Sequence, residues 1–111
     1  MSMTTTEFCR KLAENVPEVG DIFAEHMEDN DELLPHVFLA DVTRYVLDDG
    51  KARTAIVKFL DESFAKYGPD VEELIAVSFV EYLVDPVELK TATKGLEVPR
   101  IVAEWNRQRA S

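Results

Sequence analysis

Leu74-Ile75-Ala76-Val77-Ser78-Phe79-Val80-Glu81-Tyr82-Leu83-Val84 is the stretch on which the fold class turns. All but Ser78 and Glu81 are apolar, so the run belongs inside the molecule whatever its conformation. Periodicity alone fits either a buried strand or a central helix, and the flanks decide between them. Upstream, Gly68 reads as the C-cap of one helix and Pro69-Asp70 as the start of the next. Asp70 and Glu73 stand at capping-box spacing. With those caps and that length the stretch is predicted to be a helix, and a helix apolar on most sides lies at the centre of a bundle.

Outward from this centre the same period recurs. Before it, Ile56, Phe59, Leu60, Ser63, Phe64 and Tyr67 keep helical register, and Asp48-Asp49-Gly50-Lys51 is a stop and a turn. Leu34, Phe38, Val42, Tyr45 and Val46 share a face, with Pro35 in a first turn where its missing N–H costs little. Val19, Ile22, Phe23, His26 and Met27 form an i, i+3, i+4, i+7, i+8 face that Asn30 and Asp31 break. Phe8, Leu12 and Val16 recur at four-residue intervals behind a Thr4/Glu7 capping box, until Pro17 interrupts. Downstream, Asp85-Pro86 opens a short, weak segment closed by Gly95. A last helix then buries Val98, Ile101, Val102 and Trp105, with Arg107 and Arg109 complementing the dipole in its final turn. No alternating pattern competes. The expected fold is all-α: one domain over 1–111, a bundle of five to six antiparallel helices built as stacked helical hairpins.

A chain of 111 residues with 46% hydrophobic and 31% charged side chains can bury a core without staples. Its one cysteine, Cys9, excludes an internal disulfide and fits a reducing cytoplasm. The segment 1–7 has neither the basic nor the apolar region of a signal peptide, and no apolar run nears the roughly 18 residues of a membrane helix. The charge is lopsided. Residues 14–49 hold eleven acidic side chains against Arg44 alone, which accounts for the whole net charge of −10. Such a field attracts basic surfaces and repels nucleic acid and anionic membranes. With only isolated glycines there is no phosphate loop, and there is no nucleophile elbow.

Two stretches carry a resemblance. Leu33-Leu34-Pro35-His36-Val37-Phe38-Leu39-Ala40-Asp41-Val42-Thr43-Arg44-Tyr45 resembles one signature of a family of short, largely uncharacterised bacterial helical proteins, and Leu74-Ile75-Ala76-Val77-Ser78-Phe79-Val80-Glu81 resembles its second. Similar short acidic helical proteins occur among bacterial immunity proteins, which neutralise a cognate toxin. The resemblance implies a helical fold and a binding role.

Glu18, Asp21, Glu25 and Glu28, spaced 3, 4 and 3, line one helix face, and Asp29, Asp31 and Glu32 extend it into the following loop. The plain reading is a solvated face; the functional one is a docking surface for a basic protein. A metal site lacks the glycine-hinged, Asp-rich loop that a hard cation favours. Asp41, beside the apolar face, needs a partner, and Arg44 at i+3 can supply it as a structural ion pair or as part of a ligand site. His36, in the first turn of the same helix, reads as exposed or capping a neighbour and is grouped with Asp41 and Arg44 as a structural or ligand residue. His26 reads as a satisfied core histidine and Cys9 as inert packing, with a Cys9–His26 nucleophile the remote alternative. The expectation is a cytoplasmic binding protein rather than an enzyme, without cofactor or metal: an inhibitor or immunity protein that occludes a basic toxin such as a nuclease. A helical adaptor is the alternative and an unrecognised small enzyme the third. A monomer is favoured.

Overall fold

The structure, a computed structural model, describes residues 2–110, whose regular structure is all helical, with no strand among them. The order is α1 (Thr5–Asn15), α2 (Pro17–Asn30), α3 (Pro35–Leu47), α4 (Arg53–Phe64), α5 (Pro69–Ile75) continued by a π-helical turn (Ala76–Val80), α6 (Pro86–Thr93) and α7 (Pro99–Ala110). Each of the five prolines opens a helix. The ring removes a donor that has no partner in a first turn, and its fixed φ suits the helix. Pro17 therefore starts α2 as well as ending α1, with Val16 as the residue between them.

Seven helices replace the expected five to six, because the weak segment after Asp85 is a properly capped helix. The Asp85 carboxylate accepts the Glu88 N–H at 2.9 Å, and the Glu88 carboxylate accepts the Val84 N–H at 2.9 Å. The expected Thr4/Glu7 box is present: the Thr4 hydroxyl accepts the Glu7 N–H at 3.1 Å and Glu7 accepts the Thr4 N–H at 2.9 Å. The Thr4 backbone N–H first, and the Thr4 side chain after it, hold the Glu7 carboxyl below its ordinary range. The Asp70/Glu73 box is not made. Helix α4 ends at Phe64, and Gly68, at φ +96°, is the residue from which α5 starts. A Cβ there would lie 2.8 Å from the Ser2 hydroxyl, so glycine is required on two counts.

One core runs through all seven helices. Phe8, Phe38 and Phe79 are wholly buried at its middle, with Leu12, Leu39, Ile56, Leu60, Leu74 and Ile101 around them. Burying each such side chain contributes about 1.5–3 kcal/mol. The central stretch is only partly central. Leu74, Ile75, Phe79, Val80 and Leu83 are buried, whereas Val77, Tyr82 and Val84 face solvent. The regular helix stops at Ile75 and widens, with the Glu81 N–H reaching the Ala76 carbonyl at 3.0 Å. The Ser78 carbonyl accepts the buried Thr43 hydroxyl of α3 at 2.8 Å.

Helix α7 is fastened at both ends. Its first amide groups, on Arg100 and Ile101, donate to one oxygen of the buried Asp61 of α4 at 2.9 and 3.0 Å. An α4 carboxylate thus does the work of an N-cap side chain for another helix. At the far end the Trp105 indole donates to the Leu83 carbonyl at 2.6 Å and the Gln108 amide to the Ala76 carbonyl at 3.1 Å.

Candidate functional site

The acidic face on α2 is placed as its spacing requires. Asp21, Glu25, Glu28, Asp29, Asp31 and Glu32 are exposed, and Glu18, in the first turn, is half-buried. Among the described residues no lysine or arginine lies within ion-pair distance of any of the seven. Only Glu18 sits where a carboxylate suits the helix dipole. Glu28 and Asp29 oppose it, since the last turn of α2 carries no basic residue. Asp31 takes the left-handed conformation at φ 59° that ends the helix. Repulsion and an unfavourable dipole each cost a few tenths of a kcal/mol, about the size of one i,i+4 pair. The face is maintained against local stability.

Between α2 and α3 this face opens into a groove of about 480 Å³. Glu25 and Asp29 form one wall, Asp41, Arg44 and Asp48 the other, and Ile22, His26 and Tyr45 the floor. Two of the α2 acids, Glu25 and Asp29, thus share this groove with the Asp41–Arg44 pair, whereas Glu18, Asp21, Glu28, Asp31 and Glu32 lie outside it. Arg44 donates to Asp41 as the i, i+3 spacing predicts. The pair is open to water, with 64% of the arginine and 34% of the aspartate side chain exposed. It is a rim feature worth at most about 1 kcal/mol. Arg44 is the groove's one cation against four carboxylates, so the site is net negative.

His36 is not part of it. Its Nδ1 lies 2.7 Å from the buried Ser78 hydroxyl, tying the start of α3 to the π-helical turn. His26 is the satisfied core histidine expected. Its Nε2 accepts the Leu34 N–H at 3.0 Å, which fixes the tautomer as one with that nitrogen bare, and its ring lies edge-on to Phe38 at 5.8 Å. Leu34 is the residue from which α3 starts, so His26 ties the start of α3 to α2 beside the groove that it lines. At the other end Tyr45 lies over Gly50, where a Cβ would come within 2.3 Å of the ring, and its hydroxyl accepts the Ala52 N–H at 3.0 Å.

Cys9 is buried, and burial pushes its thiol up to about 12. The thiolate needed for nucleophilic chemistry is thereby disfavoured. Among the described residues no three His, Cys, Asp or Glu side chains are grouped to hold a metal ion, and no helix is long and apolar enough to cross a membrane.

A second groove, about 700 Å³, lies between α5 with its π-helical turn and α7. Glu104 and Arg107 line it as an i, i+3 pair, with Arg107 Nε 2.8 Å from the Glu104 carboxylate. The hydrogen bond from Arg107 holds the Glu104 carboxyl below its ordinary range, and the same bond raises Arg107. Each locks the other in its charged form. The spacing of this pair was readable in the sequence. The Asp61 cap was not, since an aspartate following Leu60 inside an apolar face carries no signal of what it will meet.

These features define a class: an acidic, all-helical protein with a net-negative groove between its second and third helices. The family model of a domain of unknown function (DUF7674) matches residues 9–108. The chain belongs to that family, whose description assigns no activity and makes no link to immunity proteins. No curated protein and no solved structure matches the chain.

Proposed function

We propose that this protein acts by binding, and that the α2 face together with the α2–α3 groove is the docking surface for a basic protein. The observation that carries the reading is the convergence of Glu25, Asp29, Asp41 and Asp48 on one groove with a single cation, continuous with carboxylates that have no ion-pair partner. A lysine or arginine of the partner entering the groove would find several acceptors at once, and the surrounding stripe would steer the encounter. The finer form of the proposal is inhibition by occlusion. A toxin that grips phosphate with basic side chains would have them covered by these carboxylates, the role of an immunity protein acting in the cytoplasm. Such a role needs neither a catalytic group nor a cofactor of its own.

A pull-down tests this. Wild-type protein should retain a basic protein from lysate at low salt and release it at high salt. The E18Q/D21N/E25Q/E28Q variant should retain much less. If the retained protein has an activity, stoichiometric loss of that activity supports occlusion; its persistence in the complex supports an adaptor instead. A second variant, E25Q/D29N/D41N/D48N, neutralises the groove itself, and retention of the same partner by both variants, at either salt, refutes the docking surface.

A further inference from the structure

The groove of about 700 Å³ between α5, its π-helical turn and α7 has a polarised lining. Glu72, Glu73 and Glu81 stand on the wall formed by α5 and the π-helical turn, with no cation among them. Arg107 and Arg109 stand on the α7 wall with Glu104. Four carboxylates against two guanidinium groups leave the groove net negative. The three glutamates of the first wall are exposed, and among the described residues none has a lysine or arginine within ion-pair distance. Pro69, Ala76 and Val77 give the lining an apolar part. The volume lies within the roughly 300–1,000 Å³ of small-molecule sites.

Arg107 is anchored along one edge. Its Nε and Nη2 donate to the two oxygens of Glu104 at 2.8 and 2.5 Å. Glu104 is itself fixed: 8% of its side chain is exposed, and it accepts the Gln108 amide at 2.9 Å, which also donates to the Ala76 carbonyl at 3.1 Å. A guanidinium carries five N–H groups, and these two bonds use only one side of it. Among the described residues nothing is bonded to Nη1, and 72% of the arginine side chain is exposed. The Nη1/Nη2 edge is a fork that a carboxylate meets bidentately. A buried charge pair is weak evidence for stability, because desolvation offsets the attraction. What the buried Glu104 does achieve is to hold an exposed guanidinium in one orientation, as a supporting residue holds a binding group. Arg109, by contrast, is bonded to the Leu83 carbonyl and lies over the Trp105 ring at 4.8 Å.

We propose that this groove is a second binding site, for a small ligand with a carboxylate at one end and a cation at the other: a basic amino acid, free or as the last residue of a peptide. Its carboxylate takes the Nη1/Nη2 edge of Arg107. Its side-chain ammonium or guanidinium lies among Glu72, Glu73 and Glu81, and its methylenes lie on Ala76 and Val77. The net negative lining selects a basic amino acid over a neutral or acidic one. Glu72 raises Arg107, after the larger effect of Glu104, so the charges of the two walls reach one another. The site shares no residue with the α2–α3 groove, so its occupation does not compete with a protein docked there.

An NMR titration of the full chain with free L-arginine tests the proposal. Amide signals of residues 72–81 and 104–109 should shift saturably, with a dissociation constant of about 1 mM or below, the range that a few charge-assisted contacts reach. L-argininamide has the same side chain and more positive charge but no carboxylate, and it should bind at least about tenfold more weakly. General attraction to an acidic protein predicts the opposite order. R107Q should abolish the preference for arginine over argininamide. E72Q/E73Q/E81Q, altered at exposed positions, should keep its helical CD spectrum and lose at least about tenfold in arginine affinity. Glycyl-arginine binding more tightly than arginine assigns the site to peptide C-termini, and binding more weakly assigns it to the free amino acid. The absence of a saturable shift in the wild-type protein would overturn the proposal. So would argininamide binding as tightly as arginine, or an arginine affinity unchanged in E72Q/E73Q/E81Q.

Discussion

Replacing Asp61 with alanine should be the most damaging single change outside the apolar core. One carboxylate oxygen accepts the N–H groups of Arg100 and Ile101, and the other lies 3.2 Å from the Arg100 guanidinium. The three contributions differ in worth. The ion pair is small, since half of the Arg100 side chain is exposed, and such a pair contributes about 1 kcal/mol or less. The Ile101 amide is buried and would be orphaned, at about 1–3 kcal/mol. Loss of the cap at Arg100 adds about 1 kcal/mol. The total is about 2–5 kcal/mol against a stability of about 5–15 kcal/mol for a domain of this size. Asp61→Asn keeps an acceptor oxygen and should cost about half as much. Arg100→Ala should cost about 1 kcal/mol or less. Urea melts of the three variants give the free energies, and native-state hydrogen exchange at Ile101 shows whether α7 has loosened. If Asp61→Ala costs no more than Arg100→Ala, the carboxylate is not holding the helix start and the account of α7 fails.

Three further outcomes follow from the geometry. Cys9 should resist thiol reagents at pH 8 in the native protein and react at once when unfolded. Its folded pKa of about 12 lies above the ordinary thiol value, so its contribution to stability is complete below about pH 8.5 and is lost as pH rises towards about 12, which alkaline melts of wild type and Cys9→Ser should separate. His26→Ala should cost about 1–3 kcal/mol by orphaning the Leu34 N–H and should raise exchange at the start of α3, whereas unchanged exchange there would dismiss the cross-helix cap. Asp41→Ala should cost less than about 1 kcal/mol, and a double-mutant cycle with Arg44→Ala should give a coupling of about 0.2–1 kcal/mol that shrinks in salt.

The helical periods were legible because side chains alone produce them. Phe8, Leu12 and Val16 are buried as their spacing requires, and so are Ile56, Leu60 and Tyr67. The five prolines marked helix starts more faithfully than any other signal. Where expectation failed, a distant contact had overruled local chemistry. The Asp70/Glu73 spacing suggested a cap at Asp70, but the cap is Gly68, two residues earlier, at positive φ and with Ser2 packed against it. The π-helical turn after Ile75 is met by donors from far along the chain, the Thr43 hydroxyl, thirty-five positions before the Ser78 carbonyl it bonds, and the Gln108 amide of α7. The stripe on α2 was read correctly as a face because helical spacing is local. The meeting of Glu25 and Asp29 with Asp41 and Asp48 was not, since that depends on how α2 and α3 pack, and His36 went to Ser78 for the same reason.

The central claim is that this acidic surface docks a basic partner, and the association rate of that partner tests it most directly. With the protein retained in the pull-down, the rate should be high at low salt and should fall steeply as ionic strength approaches about 0.15 M, where screening acts over about 8 Å. The E18Q/D21N/E25Q/E28Q variant should keep its fold, since Val19 and His26 of the buried face are untouched, yet associate at least about tenfold more slowly with a much flatter salt dependence. An association rate and salt dependence unchanged in the neutralised protein would contradict the claim and leave the stripe a solvated face.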